Sequence, residues 1–146
     1  MYGDSGSDTL SGGSHDDQLH GGLGEDLLRG GSHNDLMYGD SGNDTLSGGS
    51  GQDTMTGGFG ADDFMFELLD QFTEVITDFD AGEGDKIIFD SSATGIFSIN
   101  DLVVNLGSNN ESSSHSALET SIYFGDKKII EFHDSINFQV EDFEFI

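Results

Sequence analysis

The feature that most constrains this chain is a nine-residue pattern written seven times without a gap between Gly3 and Met65. The units begin at Gly3, Gly12, Gly21, Gly30, Gly39, Gly48 and Gly57. Their sixth position is always aspartate: Asp8, Asp17, Asp26, Asp35, Asp44, Asp53 and Asp62. Their eighth is always large and apolar: Leu10, Leu19, Leu28, Met37, Leu46, Met55 and Phe64. A short unbroken period fixes the architecture before any local reading. Each unit is too small to bury its apolar side chain alone, so neighbouring units must stack.

The first six residues of a unit are rich in Gly, Asp, Asn and Ser and predict a turn. The last three, such as Thr9-Leu10-Ser11, predict a short strand whose middle side chain alone points inward. Two units then make one coil, and successive coils stack as parallel strands about 4.8 Å apart. One sheet carries Leu10, Leu28, Leu46 and Phe64 inward, the other Leu19, Met37 and Met55. One inward residue per unit is a thin core against an ordering cost of roughly 1–2 kcal/mol per residue.

Charge supplies the missing term. The chain has 29 acidic residues against four Lys and Arg, a net charge of −25. Nucleic acid and anionic membranes need basic patches, so neither is an expected partner; cations are. In the predicted coil the aspartates fall into two columns: Asp8, Asp26, Asp44 and Asp62, and Asp17, Asp35 and Asp53. Unscreened, these carboxylates repel one another. Calcium takes six to eight oxygen ligands at about 2.3–2.6 Å, and glycine frees turn carbonyls to converge on an ion. The candidate ligands are the seven aspartates with the turn glycines at position four (Gly6, Gly24, Gly42, Gly51 and Gly60) and position two (Gly13, Gly22, Gly31, Gly49 and Gly58). Ions between successive turns give three sites in one column and two in the other, about five in all. With no cysteine, disulfides cannot staple the fold.

The period stops at Phe66, so two regions are expected, a roll over residues 1–65 and a β-rich capping region over 66–146. Glu74 to Asp80 and Lys86 to Phe89 predict strands around the turn Ala81-Gly82-Glu83-Gly84. Ser98 to Leu106 predicts a short helix with Ser98 and Asp101 as a capping box. Residues 107 to 120 read as a polar loop, and Ser121 to Phe132 as a hairpin turning at Gly125-Asp126. Asp78, Asp80 and Asp85 lie where the last turns end, and Asp78 is taken as the candidate ligand of a terminal site. A loop of exposed acids is the alternative.

The motif G-G-x-G-x-D-x-U-x, together with GGFGADDFMF, VITDFDAGEGDKIIFD and the closing EDFEFI, resembles the RTX family of calcium-binding secreted proteins. The resemblance covers nearly the whole chain and is loosest from Ser91 to Thr120. It implies an all-β fold, a right-handed parallel β-roll followed by a C-terminal cap. It also implies that position four offers a carbonyl to calcium. His15 and His33 replace glycine there; they retain the carbonyl at the expense of backbone strain. Two further readings of this pair are open: a two-histidine transition-metal site, or rings that point to solvent. His20 is expected to be exposed. The resemblance further implies type I secretion from a Gram-negative cell, read from an uncleaved signal at Glu141 to Ile146, and folding on calcium outside.

Because the chain starts inside the repeat, a longer parent with an upstream domain is expected. No Cys, HExxH or Ser–His elbow points to chemistry here, so the chain is not expected to be an enzyme. No apolar run approaches a membrane span. A carbohydrate- or surface-binding accessory module of a secreted enzyme or adhesin is the competing reading. Ice binding is disfavoured, because the outward pairs, from Thr9/Ser11 to Leu36/Tyr38, form no regular threonine array.

Overall fold

The computed structural model describes residues 1–67, 72–96, 98, 102–106, 120–132, 136 and 138–146. Six strands of equal length open the chain: β1 (Thr9–Ser14), β2 (Gln18–Leu23), β3 (Leu27–Ser32), β4 (Leu36–Ser41), β5 (Thr45–Ser50) and β6 (Thr54–Phe59). Each runs from position seven of one unit through position three of the next. The strands are therefore twice as long as the sequence suggested, and the glycine pair, read as turn, lies inside them. Glycine is a poor strand former on propensity, but here its missing side chain is what the packing uses, as the site shows below.

Strands alternate between two faces. The odd strands pair in parallel with Leu10, Leu28, Leu46 and Phe64 in register. The even strands align Leu19, Met37 and Met55. All seven of these side chains are buried, as expected for a two-unit coil. Position one is inward too, two residues on, and Gly21, Gly30, Gly39, Gly48 and Gly57 are buried.

The sheets do not stop where the repeat does. β7 (Asp63–Phe66), β9 (Lys86–Phe89) and β13 (Phe143–Phe145) extend the first sheet in parallel. The second sheet continues through β8 (Glu74–Ile76) and β12 (Lys127–Phe132), then turns antiparallel into β11 (Thr120–Phe124) and β10 (Leu102–Leu106). The expected hairpin is present, with Gly125 at φ 61°. The helix expected up to Leu106 is not: residues 102–106 form the strand β10. The β-branched pair Val103-Val104 suits a strand, and pairing with β11 overrides a weak local helix signal. The rest of the polar loop, residues 107–119, lies outside the described residues.

Core composition changes along the roll. Ile76, Ile87 and Phe143 take the places of the repeat's inward residues, and Phe64, Phe79, Phe132, Phe138 and Phe143 form a continuous aromatic cluster with ring centres 5.0–6.1 Å apart. Among the described residues no helix is long and apolar enough to cross a membrane.

Candidate metal centre

The turns between strands carry the two aspartate columns. In the first, the backbone N–H of Asp8 donates to Asp26 Oδ1 at 2.7 Å, Asp26 to Asp44 at 2.8 Å and Asp44 to Asp62 at 2.8 Å. In the second, Asp17 donates to Asp35 and Asp35 to Asp53, both at 2.8 Å. From Asp26 onward each carboxylate thus uses its Oδ1 to tie its coil to the one before. The other oxygen is buried with no hydrogen-bond partner at Asp8, Asp26, Asp35, Asp44 and Asp62. A buried carboxylate oxygen without a donor is expensive, and its recurrence at coil spacing marks a place for a cation.

The glycines make room for this arrangement. A Cβ at Gly21, Gly30, Gly39 or Gly57 would strike the carboxylate of Asp26, Asp35, Asp44 or Asp62 in the same unit. Positions two and four all have positive φ, the glycines among them from 96° at Gly13 to 136° at Gly42. Their carbonyls point at the equivalent residue one coil on: a Cβ on Gly24, Gly42 or Gly60 would collide with the oxygen of Gly6, Gly24 or Gly42, and one on Gly31, Gly49 or Gly58 with that of Gly13, Gly31 or Asp40. Gly22 and Gly51 meet the carbonyls of Asp4 and His33 in the same way.

The positions that lack glycine obey the same geometry. His15 (φ 110°), His33 (φ 81°), Asp4 (φ 70°) and Asp40 (φ 73°) all occupy the left-handed region, which Asn, Asp and His tolerate better than other side chains. His15 and His33 are exposed and their rings lie 6.0 Å apart. His20 departs from expectation. It is half-buried, sandwiched between Tyr2 and Tyr38 at 4.8 and 4.7 Å with its Nδ1 3.3 Å from Asp40 Oδ2. The coil period sets these three rings one above another.

Burial dominates the electrostatics. It pushes the Asp44 and Asp62 carboxyls up to about 6, against the pull of the backbone N–H each accepts, with neighbouring carboxylates adding to the rise. Asp35 is raised for the same first reason. Among the described residues no three His, Asp or Glu side chains converge on one point. An ion between turns would therefore draw on main-chain carbonyls for most of its ligands, which suits a hard oxygen-seeking ion such as calcium and not a thiolate- or imidazole-seeking one.

Both columns continue past the repeat. Asp85 Oδ1 accepts the Asp62 N–H at 2.9 Å, and Glu74 Oε2 accepts that of Asp53 at 3.0 Å. Asp85 is buried, as is Glu74, and burial lifts its carboxyl to about 6. Glu74 escaped the sequence reading because it lies 21 residues after Asp53, off the repeat period. A usable signal was present: Glu74 precedes the inward Ile76 by two residues, as Asp85 precedes Ile87 and Asp62 precedes Phe64. Asp78 does something different. Its two oxygens accept the N–H groups of Gly57 and Gly58 in β6 at 2.9 and 2.8 Å.

The model of the RTX calcium-binding nonapeptide repeat (4 copies) matches residues 1–28 and 29–64. The chain is also similar to the AlgE6R3 subunit of the Azotobacter vinelandii mannuronan C5-epimerase, known from a solution structure. The two are 32% identical over 80% of this chain and 68% of that one, with a TM-score of 0.57. No curated protein sequence matches. Roll, aspartate columns and both comparisons agree: the chain belongs to the RTX calcium-binding nonapeptide repeat family and is a calcium-binding β-roll module.

Proposed function

We propose that this module couples folding to export: it leaves the cell unfolded through a type I secretion system, then folds outside on binding about five calcium ions. The observation that carries the reading is the pair of columns of buried carboxylates, which disfavour the roll until cations arrive. Extracellular calcium modules typically bind at 10⁻⁴–10⁻³ M, well above the calcium expected inside a bacterium. There, low hydrophobicity and a net charge of −25 keep the repeats expanded. Outside, at calcium tenfold above Kd, each site adds about 1.4 kcal/mol. Five sites would add about 7 kcal/mol, comparable to a domain's whole stability. The ligands in this reading are the seven aspartates and the position-two and position-four carbonyls, with Asp78 at the end of the array.

The export signal in this reading is Glu141 to Ile146. That segment is folded into the roll: β13 pairs with β9, and the Ile146 N–H donates to the Phe89 carbonyl at 3.0 Å. A receptor could read it only from the unfolded chain, which supports export before calcium binding. The test fuses a passenger to the chain and follows its export with and without Glu141 to Ile146, alongside circular dichroism in chelator and in millimolar calcium. Export should fail without the segment, and the strand signal of the repeats, residues 3–65, should appear only with calcium. A full strand spectrum in excess chelator would sink the reading.

One observation favours a second reading, a carbohydrate-binding accessory module. The Tyr2–His20–Tyr38 stack lies on an outer sheet face, and the AlgE6R3 neighbour belongs to a mannuronan epimerase. The net charge of −25 disfavours an acidic polysaccharide and leaves a neutral sugar. A glycan-array signal lost in His20→Ala and Tyr38→Ala, with the calcium midpoint unchanged, would establish this reading.

A further inference from the structure

The calcium columns leave one pair of metal-capable side chains unexplained. Position four is glycine in five units and histidine in two, and the two histidines lie in successive coils of the same column. Parallel stacking brings them together: the His15 N–H donates to the Ser32 carbonyl at 3.2 Å, and the ring centres are 6.0 Å apart. Both rings are exposed, so no core packing explains them. Both backbones are held in the left-handed region, at φ 110° and 81°, where glycine would sit without strain. The calcium role of the position is met by the main chain, since the His33 carbonyl points at Gly51 of the next coil as the glycine carbonyls do.

We propose that His15 and His33 together bind one borderline transition-metal ion of the Zn²⁺ or Ni²⁺ type on the outside of the roll, separate from the calcium columns. The geometry accommodates it. With metal–nitrogen bonds of about 2.0–2.1 Å, an ion lies roughly 3.2 Å from each ring centre, so two rings sharing one ion have centres about 5–6 Å apart. Imidazole is a preferred ligand of such ions and a poor one for calcium. Water completes the shell, since among the described residues no third His, Asp or Glu joins the pair. The pair forms only when the coils stack, so this site exists only in the folded roll. The proposal rests on the roll and not on the export reading.

The test titrates Zn²⁺ into the full chain held in saturating calcium. One ion should bind per chain, and His15→Gly/His33→Gly should weaken binding about tenfold or more. The double variant keeps the main-chain carbonyl at both positions, and circular dichroism in saturating calcium checks that it is folded before zinc is added. His20→Gln should bind Zn²⁺ like the parent. On the unmodified protein, long-range ¹H–¹⁵N spectra should show the His15 and His33 ring nitrogens shifting together at one equivalent, a readout that does not depend on the variant folding. Equal Zn²⁺ binding by parent and double variant, or ring shifts confined to other histidines, would overturn the proposal.

Discussion

The two halves of this roll share the same sheets and are filled by opposite chemistry. Between Gly3 and Phe59 each unit sends in one aliphatic side chain, one glycine and one carboxylate, and those of Asp26, Asp35 and Asp44 are buried, each with an oxygen that no donor reaches. Beyond Phe64 the interior becomes aromatic, with Phe79, Phe132, Phe138 and Phe143 packed ring to ring. The strands hardly register the change, since β7 pairs with β9 as β5 pairs with β7. Parallel coil stacking is thus indifferent to whether cations or rings hold the coils. What differs is the switch: an aromatic core forms in any aqueous solution, a carboxylate core only when its charge is answered.

Removing the aromatic half should have the largest effect. Without residues 67–146, Met55 and Phe64 lose the strands stacked on them, and Asp53 and Asp62 lose the Glu74 and Asp85 oxygens that cap their N–H groups. A Met1–Phe66 fragment should therefore stay unstructured in about 1 mM calcium, a level at which extracellular modules are typically loaded. Circular dichroism checks this; a calcium midpoint equal to the full chain's would show that the repeats nucleate themselves.

A point change inside the cluster comes next. Phe132 is fully buried and meets Phe79 edge-on at 5.8 Å. Phe132→Ala should lose about 3–5 kcal/mol from the calcium-loaded fold. It should also raise the calcium midpoint of the repeats, whereas a lower denaturation midpoint with unmoved calcium binding would mean that the halves fold independently.

Within the carboxylate half, position in the column should matter. Asp44 has a coil on either side, Asp8 on one only. Asp44→Asn should weaken two sites, a loss of about 3 kcal/mol, and Asp8→Asn one, about half that. Calorimetric titration separates them, and identical profiles would contradict ions shared between turns.

The smallest effect expected is on the calcium-free chain. Burial raises Asp44, Asp62 and Asp85 to about 6 from 3.8. A carboxyl whose folded value is raised stabilises the fold below its unfolded value near 4 and loses that contribution as pH rises through about 6. In chelator, lowering the pH from about 7.5 to about 5 should therefore return part of the strand signal, protons doing in part what calcium does. An unchanged or falling signal would place the carboxyls in solvent.

The nonapeptide period alone determined the coil, its two faces, the inward residues of both sheets and the membership of each aspartate column. All of these follow from counting, because in a solenoid the neighbour in space lies a fixed number of residues away. The same counting put His15 next to His33. Where the period lapses, proximity ceases to be a matter of sequence separation, and only the tertiary structure decided the outcome. Glu74 and Asp85 join the columns 21 and 23 residues after their partners, because loops of irregular length still deliver an acid two residues ahead of an inward side chain. Residues 102–106 became a strand because β11 offered an edge to pair with, a long-range contact that local propensity cannot sense. The glycine pair became strand because the space a side chain would need is taken, at its first position by a carboxylate of the same unit and a carbonyl of the next coil, at its second by a carbonyl of the coil before.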